Sequence, residues 1–150
     1  RNLNVYFQKE LTGTIDTAIE TLHNEMGFSA PGADLFYSNN YDRLAEGVLS
    51  SAYLGTSYVN GVECHYLTYR EAQVDWQLWI NAEGDPLPMK YIITTKWMTG
   101  APQYAVRFRD WNTSPKVKPG QFDFKKPKGV KRLEAIYADE MGELVVEEAE

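Results

Sequence analysis

The sequence has 150 residues, of which 43% are hydrophobic and 24% charged, a globular composition that suits one domain and excludes a disordered chain. Aromatic residues make up 13%, which favours β-strands and a large apolar interior. The net charge is −6, and no segment reaches the roughly 18 consecutive apolar residues that a transmembrane helix needs. The chain does not begin with Met, so we expect its natural N-terminus, with any signal peptide, to lie upstream.

The first predicted elements are a short strand and an amphipathic helix. Residues 2–9 have strand character, and Thr14 is a suitable N-cap for the helix that follows. Gly27 is placed to end that helix. Two short helical segments are predicted next, at residues 33–37 and 41–48. The first helix carries one apolar stripe at helical spacing, formed by Ile15, Ala18, Ile19, Leu22 and Met26.

The pattern changes to strands after Ser50. Successive strands are predicted at residues 52–59, 62–70, 74–81, 88–98 and 103–112. The first two flank Asn60-Gly61, the strongest short signal for a two-residue hairpin turn. Long strands joined by short turns indicate an antiparallel meander rather than a fold with parallel strands and crossover helices.

Alternation along three of these strands predicts one nearly continuous apolar face. The amphipathic helices need such a face to cover them. We therefore expect an α+β, mostly β fold in a single domain over residues 1–132, with one curved antiparallel sheet and helices packed on its concave face. The three rows are Val74, Trp76, Leu78 and Ile80; Met89, Tyr91, Ile93, Thr95 and Trp97; and Tyr104, Val106 and Phe108.

The C-terminal part of the chain is polar. Residues 133–150 form an acidic tail, which we expect to be helical or mobile. A basic band lies just before it, between Lys116 and Arg132. The band lacks an aromatic-rich nucleic-acid signature, so we expect a solvated edge or a partner for the acidic tail, and no nucleic-acid partner.

The sequence offers few groups for catalysis or metal binding. Cys64 is the only cysteine, and its neighbour His65 points to the opposite face of a strand, so the two cannot act as nucleophile and base. One Cys and two His do not form a zinc site, and we expect no metal and no cofactor. Asp75 and Asp110, each beside a Trp, are the remaining pair that glycoside hydrolysis would require. We favour ion pairing with basic residues on neighbouring strands for these carboxylates.

Several segments resemble a known family, in order and with matching spacing, from about Asn4 to Arg132. The most specific are residues 74–80 (VDWQLWI) and 86–96 (PLPMKYIITTK). Shorter matches are residues 13–16 (GTID), 33–37 (ADLFY), 61–65 (GVECH), 102–104 (PQY) and 110–112 (DWN). With these segments the sequence resembles the predicted periplasmic proteins of domain-of-unknown-function family 2092.

The resemblance implies a periplasmic location and a fold like that of the outer-membrane lipoprotein carriers (LolA-like), a half-barrel sheet wrapped around helices. It also implies that the family's N-terminal strands and first helix are missing from this sequence. It supplies no activity and no catalytic residues.

Together these observations predict a non-catalytic periplasmic binding protein rather than an enzyme. Its partner would be a lipid, a lipoprotein acyl chain or another apolar ligand, held between the sheet and the helices. The alternatives are an envelope interaction or scaffold domain with a filled core and, less favoured, a polysaccharide hydrolase that uses Asp75 and Asp110. The residues predicted to line the apolar cavity are Ile19, Leu22, Met26, Leu35, Phe36, Trp76, Leu78, Tyr91, Ile93, Tyr104 and Phe108.

Overall fold

A computed structural model describes residues 4–28, 30–138 and 144–148. The chain divides into two compact units, one formed by Arg1–Ala30 and Ser114–Glu150 and the other by Pro31–Thr113. The strands in chain order are β1 (Val5–Tyr6), β2 (Ser50–Val59), β3 (Val62–Arg70), β4 (Val74–Asn81), β5 (Pro88–Thr95), β6 (Gln103–Arg107), β7 (Lys131–Ala138) and β8 (Leu144–Glu148). The helices are α1 (Ile15–Met26), a 3-10 helix (Ala33–Phe36) and α2 (Asn40–Ala45).

Helix α1 has the two caps that its sequence predicts. The Thr14 hydroxyl accepts a hydrogen bond from the Thr17 backbone N–H at 3.3 Å, and the Thr17 hydroxyl accepts one from the Thr14 N–H at 2.8 Å. This reciprocal pair satisfies backbone donors that the first helical turn leaves without partners. At the other end Gly27 adopts a left-handed conformation with φ 67°, which glycine enters without steric cost. The predicted bounds of this helix are therefore confirmed.

The first unit contains a small sheet with the order β1-β7-β8, which we call the terminal sheet. Strand β1 pairs with β7 in parallel, and β7 pairs with β8 in antiparallel orientation. The prediction of a helical or mobile tail was therefore wrong for residues 133–138 and 144–148. Net charge did not predict these two strands. In β7 the apolar Leu133 is buried while the charged Glu134 is exposed, and in β8 the β-branched pair Val145-Val146 favours a strand. Part of the predicted tail, at residues 139–143 and 149–150, lies outside the described residues.

The second unit contains the meander sheet, an antiparallel sheet with the order β2-β3-β4-β5-β6. The prediction of five consecutive antiparallel strands is confirmed, and so is the turn at Asn60-Gly61, which joins the paired residues Val59 and Val62. The sheet is open, with β2 and β6 as its edges. The expectation of one sheet was wrong, because β1, β7 and β8 pair separately.

Both faces of the meander sheet carry buried side chains. On the Trp76 face, Trp76, Leu78 and Tyr91 form a cluster against which Leu35 of the 3-10 helix and Leu44 of α2 pack. Short helices thus cover this face, as predicted. Helix α1 belongs to the other unit, so the expected contact of its apolar stripe with the sheet stays a prediction.

The opposite side, the Trp79 face, has its own core of Val59, Cys64, Trp79 and Met89. The alternation pattern placed Met89 beside Tyr91, and this was wrong. The β4–β5 ladder shifts register between Trp79 and Ile80, so that Trp79 opposes Lys90 while Ile80 opposes Pro88. Met89 is the extra residue of this bulge, and an extra residue breaks the two-residue repeat of side-chain direction.

Candidate functional site

A cavity of about 560 Å³ lies on the Trp76 face between α2 and the sheet. None of its lining side chains is a carboxylate, an ammonium or a guanidinium. Its volume falls within the range of roughly 300–1,000 Å³ that small-molecule pockets occupy. We call the helix side of this lining the helix wall; it consists of Tyr41, Leu44, Ala45 and Val48. We call the sheet side the sheet wall; it consists of Ser51, Tyr69, Trp76, Leu78 and Ile80.

Local structure explains why these side chains meet. Tyr41, Leu44 and Ala45 recur at spacings of three and four along α2, so they share one side of a helix. Trp76, Leu78 and Ile80 alternate along β4 and therefore share one face of the sheet. The register pairs Tyr69 with Trp76 directly across β3 and β4, which brings Tyr69 onto the same face.

An aromatic cluster anchors the sheet wall of the cavity. The rings of Tyr69 and Trp76 stack with centroids 3.7 Å apart and planes 12° from parallel. Tyr91 meets the indole of Trp76 edge-on at 5.9 Å. The indole Nε1 donates a 2.6 Å hydrogen bond to the Glu71 carboxylate, so the one polar atom of this ring is satisfied. The cluster presents a fixed apolar surface to the cavity.

The phenols of this cluster are held in the neutral form. Burial raises the pKa of Tyr91, and the nearby carboxylates of Asp34 and Glu71 raise it further. Burial also raises the pKa of Tyr69, with a smaller contribution from Tyr41. Both causes disfavour the phenolate, so the cavity wall remains uncharged at physiological pH.

Comparison with known families identifies the family of this chain. The model of the family described as "Predicted periplasmic protein (DUF2092)" matches residues 1–136. The chain belongs to this family. Its members are predicted periplasmic proteins, which agrees with the location inferred from the sequence. No curated protein and no solved structure matches the chain. Within residues 4–28, 30–138 and 144–148, no helix has the length and apolarity that crossing a membrane requires.

The predicted cavity residues of this DUF2092 protein fall into three groups. Trp76 and Leu78 line the cavity, and Leu35, Tyr91, Ile93 and Phe108 belong to the apolar cluster around them. Phe36 and Tyr104 lie in the same unit but are 60% and 43% exposed. Ile19, Leu22 and Met26 lie on α1 in the other unit, so their predicted place at this site stays a prediction.

The sequence analysis missed all four residues of the helix wall and three residues of the sheet wall. The residues not predicted to line the cavity are Tyr41, Leu44, Ala45, Val48, Ser51, Tyr69 and Ile80. A signal for the helix wall was present in the helical spacing of Tyr41, Leu44 and Val48. Pairing β3 with β4 outward from their turn would have placed Tyr69 opposite Trp76.

Cys64 and His65 of the DUF2092 protein lie on opposite faces of β3. Cys64 is fully buried in the Trp79-face core, whereas His65 Nδ1 lies 3.1 Å from the Tyr53 hydroxyl. Burial raises the pKa of the Cys64 thiol, which keeps it in the unreactive protonated form. In the part of the chain that the structure describes, no cluster of three or more His, Cys, Asp or Glu side chains forms a metal site.

The pair Asp75 and Asp110 is not brought together. Asp75 bonds Arg70 at 2.6 Å and Lys96 at 3.1 Å, as the ion-pairing interpretation predicts. It opposes Thr94 near one end of β5, whereas Trp111, next to Asp110, donates a hydrogen bond to the Pro88 carbonyl at the other end. Six residues of strand separate those ends, roughly 20 Å at about 3.3 Å per residue. Glycosidase carboxyl pairs are about 5–9.5 Å apart.

Proposed function

We propose that this chain is a non-catalytic periplasmic binding protein that holds a lipid, a lipoprotein acyl chain or another apolar ligand between its meander sheet and short helices. The observation that carries the proposal is the cavity of about 560 Å³ on the Trp76 face, whose lining has no charged side chain. A lipoprotein-carrier-like fold, as the sequence predicts it, would hold an apolar ligand in the same way, between a sheet and its covering helices.

The energetics of burial support an acyl chain as the occupant. Each methylene removed from water contributes about 0.8 kcal/mol, so a chain of moderate length gains enough to offset the free-energy cost of association. Leu44, Val48, Leu78 and Ile80 supply aliphatic contacts, and Trp76 supplies a rigid aromatic surface. No bond-forming step is required of any residue in this function.

An envelope scaffold domain is the competing function, and it makes a different demand on the interior. A domain that only needs a core closes to ordinary packing density, with few voids much larger than a water molecule. The cavity of about 560 Å³ is open to solvent rather than an internal void, so an apolar ligand can reach its lining, and this favours the binding protein over the scaffold.

The first experiment looks for the ligand directly. Native mass spectrometry of protein purified from its own bacterial host should detect a co-purified lipid, and titration with the neutral fluorescent probe N-phenyl-1-naphthylamine should show saturable binding. Leu78 is 8% exposed and lines the cavity, so Leu78→Trp should fill the void and abolish probe binding. Because the added indole would extend into the cavity rather than into packed side chains, the melting temperature should change little.

The matched control is Leu54→Trp. Leu54 is 56% exposed and lies outside this cavity, so the same chemical change should leave probe binding intact. A filled core gives the opposite pattern, because overpacking it with Leu78→Trp would cost roughly 1–3 kcal/mol of stability. A wild type that binds neither lipid nor probe, combined with a strongly destabilised Leu78→Trp, would establish the scaffold instead.

A further inference from the structure

One carboxylate lies against both walls of the cavity. Glu71 Oε1 accepts the hydrogen bond from Trp76 Nε1 on the sheet wall. Its other oxygen, Oε2, lies 3.7 Å from the position that a Cβ on Gly47 would occupy, and Gly47 directly precedes Val48 of the helix wall. Glu71 is only partly exposed. Glu71 is not itself a lining residue, but through Trp76 and Gly47 its negative charge borders a cavity whose own lining is uncharged.

Lys96, Arg70 and Arg43 each contact a group other than the Glu71 carboxylate. Lys96 donates to the Glu71 backbone carbonyl, but its ammonium pairs with Asp75, as does the guanidinium of Arg70. Asp75 precedes Trp76 on β4, so its side chain points to the opposite face of the sheet. On the helix side, the Arg43 guanidinium stacks on the Tyr37 ring, 3.6 Å from its centroid.

A second carboxylate adds to the negative field. Asp34 and Glu71 both act electrostatically on the buried Tyr91, which belongs to the cluster behind the cavity wall. The lining of the cavity contains no cationic side chain to offset these two carboxylates.

We propose that Glu71 makes the cavity select apolar ligands whose polar end is uncharged or cationic and reject the corresponding carboxylates. The inference rests on the proposed function and specifies its ligand class. A hydroxyl or an ammonium donates a hydrogen bond to Glu71, whereas a ligand carboxylate has only acceptors and the same sign of charge. Repulsion between like charges is stronger in a partly desolvated site than in bulk water.

The experiment compares three competitors of equal chain length, the alcohol below its solubility limit and the two ionic compounds below their micelle concentrations. Dodecanol, dodecylamine and dodecanoate displace N-phenyl-1-naphthylamine from the wild-type protein at neutral pH and low ionic strength. The alcohol and the amine should displace the probe at concentrations at least about tenfold lower than the carboxylate, equivalent to about 1.4 kcal/mol. High salt should narrow that ratio, because it screens the repulsion.

A matched pair of variants then tests the role of Glu71. Glu71→Gln removes the charge but keeps an oxygen that accepts from Trp76 Nε1, so dodecanoate should approach the affinity of dodecanol. Glu83→Gln removes the same charge from the exposed turn between β4 and β5, outside the cavity lining, and should keep the wild-type ratio.

Each outcome of these measurements bears on one of the two proposals. Equal displacement by dodecanoate and dodecanol in the wild type would overturn the selectivity, and this comparison needs no variant. An unchanged ratio in a folded Glu71→Gln protein would also overturn it, because the charge of Glu71 would then have no effect. A wild type that fails to bind the probe at all would overturn the proposed function, and with it the selectivity.

Discussion

The rings of Tyr69 and Trp76 stack face to face across β3 and β4, with centroids 3.7 Å apart. The stack lies between the cavity and the contacts that hold Trp76 in place. On one side it borders the cavity, and on the other Trp76 contacts Tyr91 edge-on and donates a hydrogen bond to the Glu71 carboxylate. Cross-strand aromatic pairs of this kind stabilise a sheet beyond the area that they bury.

We expect the Tyr69–Trp76 stack to appear as a coupling energy. Urea unfolding of Tyr69→Leu, Trp76→Leu and the double variant should give about 0.5–1.5 kcal/mol of interaction free energy. A coupling energy below about 0.5 kcal/mol would contradict the stacking geometry as a source of stability.

Alkaline pH should destabilise the protein through Tyr91. Burial and two nearby carboxylates raise the pKa of its phenol, so the folded protein keeps a proton that the unfolded chain releases above about pH 10. The free energy of unfolding should therefore fall above that pH, by up to about 1.4 kcal/mol per pH unit for this one proton. Tyr91→Phe should remove this part of the slope in urea titrations.

The control for that titration is Tyr58→Phe, because Tyr58 is 70% exposed. Its slope should equal that of the wild type. If Tyr91→Phe and the wild type show the same pH dependence, the phenol of Tyr91 ionises as readily in the folded state as in the unfolded state.

Cys64 should be dispensable for ligand binding. It lies in the Trp79-face core, on the other side of the sheet from the cavity. Cys64→Ala should cost about 1–3 kcal/mol of stability, because a fully buried side chain loses volume, and should leave probe affinity unchanged. In the wild type, iodoacetamide should react with Cys64 only as fast as the protein opens. Loss of probe binding in a folded Cys64→Ala protein would refute this separation of the two faces.

The β2–β3 turn should be sensitive to substitution at one residue and not at its neighbour. Asn60 and Gly61 have φ angles of 50° and 82°, and a Cβ on Gly61 would meet no atom within 4 Å. The cost of Gly61→Ala is therefore backbone strain alone, and we expect about 1 kcal/mol in thermal unfolding. Asn60→Gly should be nearly neutral. Equal effects of the two substitutions would mean that the turn has another conformation in solution.

The local signals of the sequence predicted the architecture of the second unit well. Asn60-Gly61 determines its own turn, and strict alternation in β4 assigns Trp76 and Leu78 to one face, so neither feature depends on distant contacts. The caps of α1 are equally local, because Thr14 and Gly27 act on the helix that they flank.

The features that were missed depend on pairing partners. The bulge that turns Met89 to the Trp79 face exists only in the β4–β5 ladder, and Pro88 beside it is equally compatible with the simple start of a strand. Strand β7 begins within the basic band and contains Glu134, and these charges do not indicate a strand. The strand forms because β1 and β8 pair with it. The helix wall was missed for a similar reason, because Leu44 and Val48 border a cavity only once α2 lies over the sheet.

The two faces of β4 also provide spectroscopic reporters. Trp76 borders the cavity, whereas Trp79 points the other way, stacked on Tyr66 at 4.3 Å beneath the Lys90 ammonium. In two single-tryptophan variants, which keep only Trp76 or only Trp79 and carry Phe at the other three positions, emission from Trp76 should follow occupancy of the cavity and emission from Trp79 should follow the integrity of the sheet. The two indoles of β4 thus report ligand binding and unfolding separately, without an attached dye.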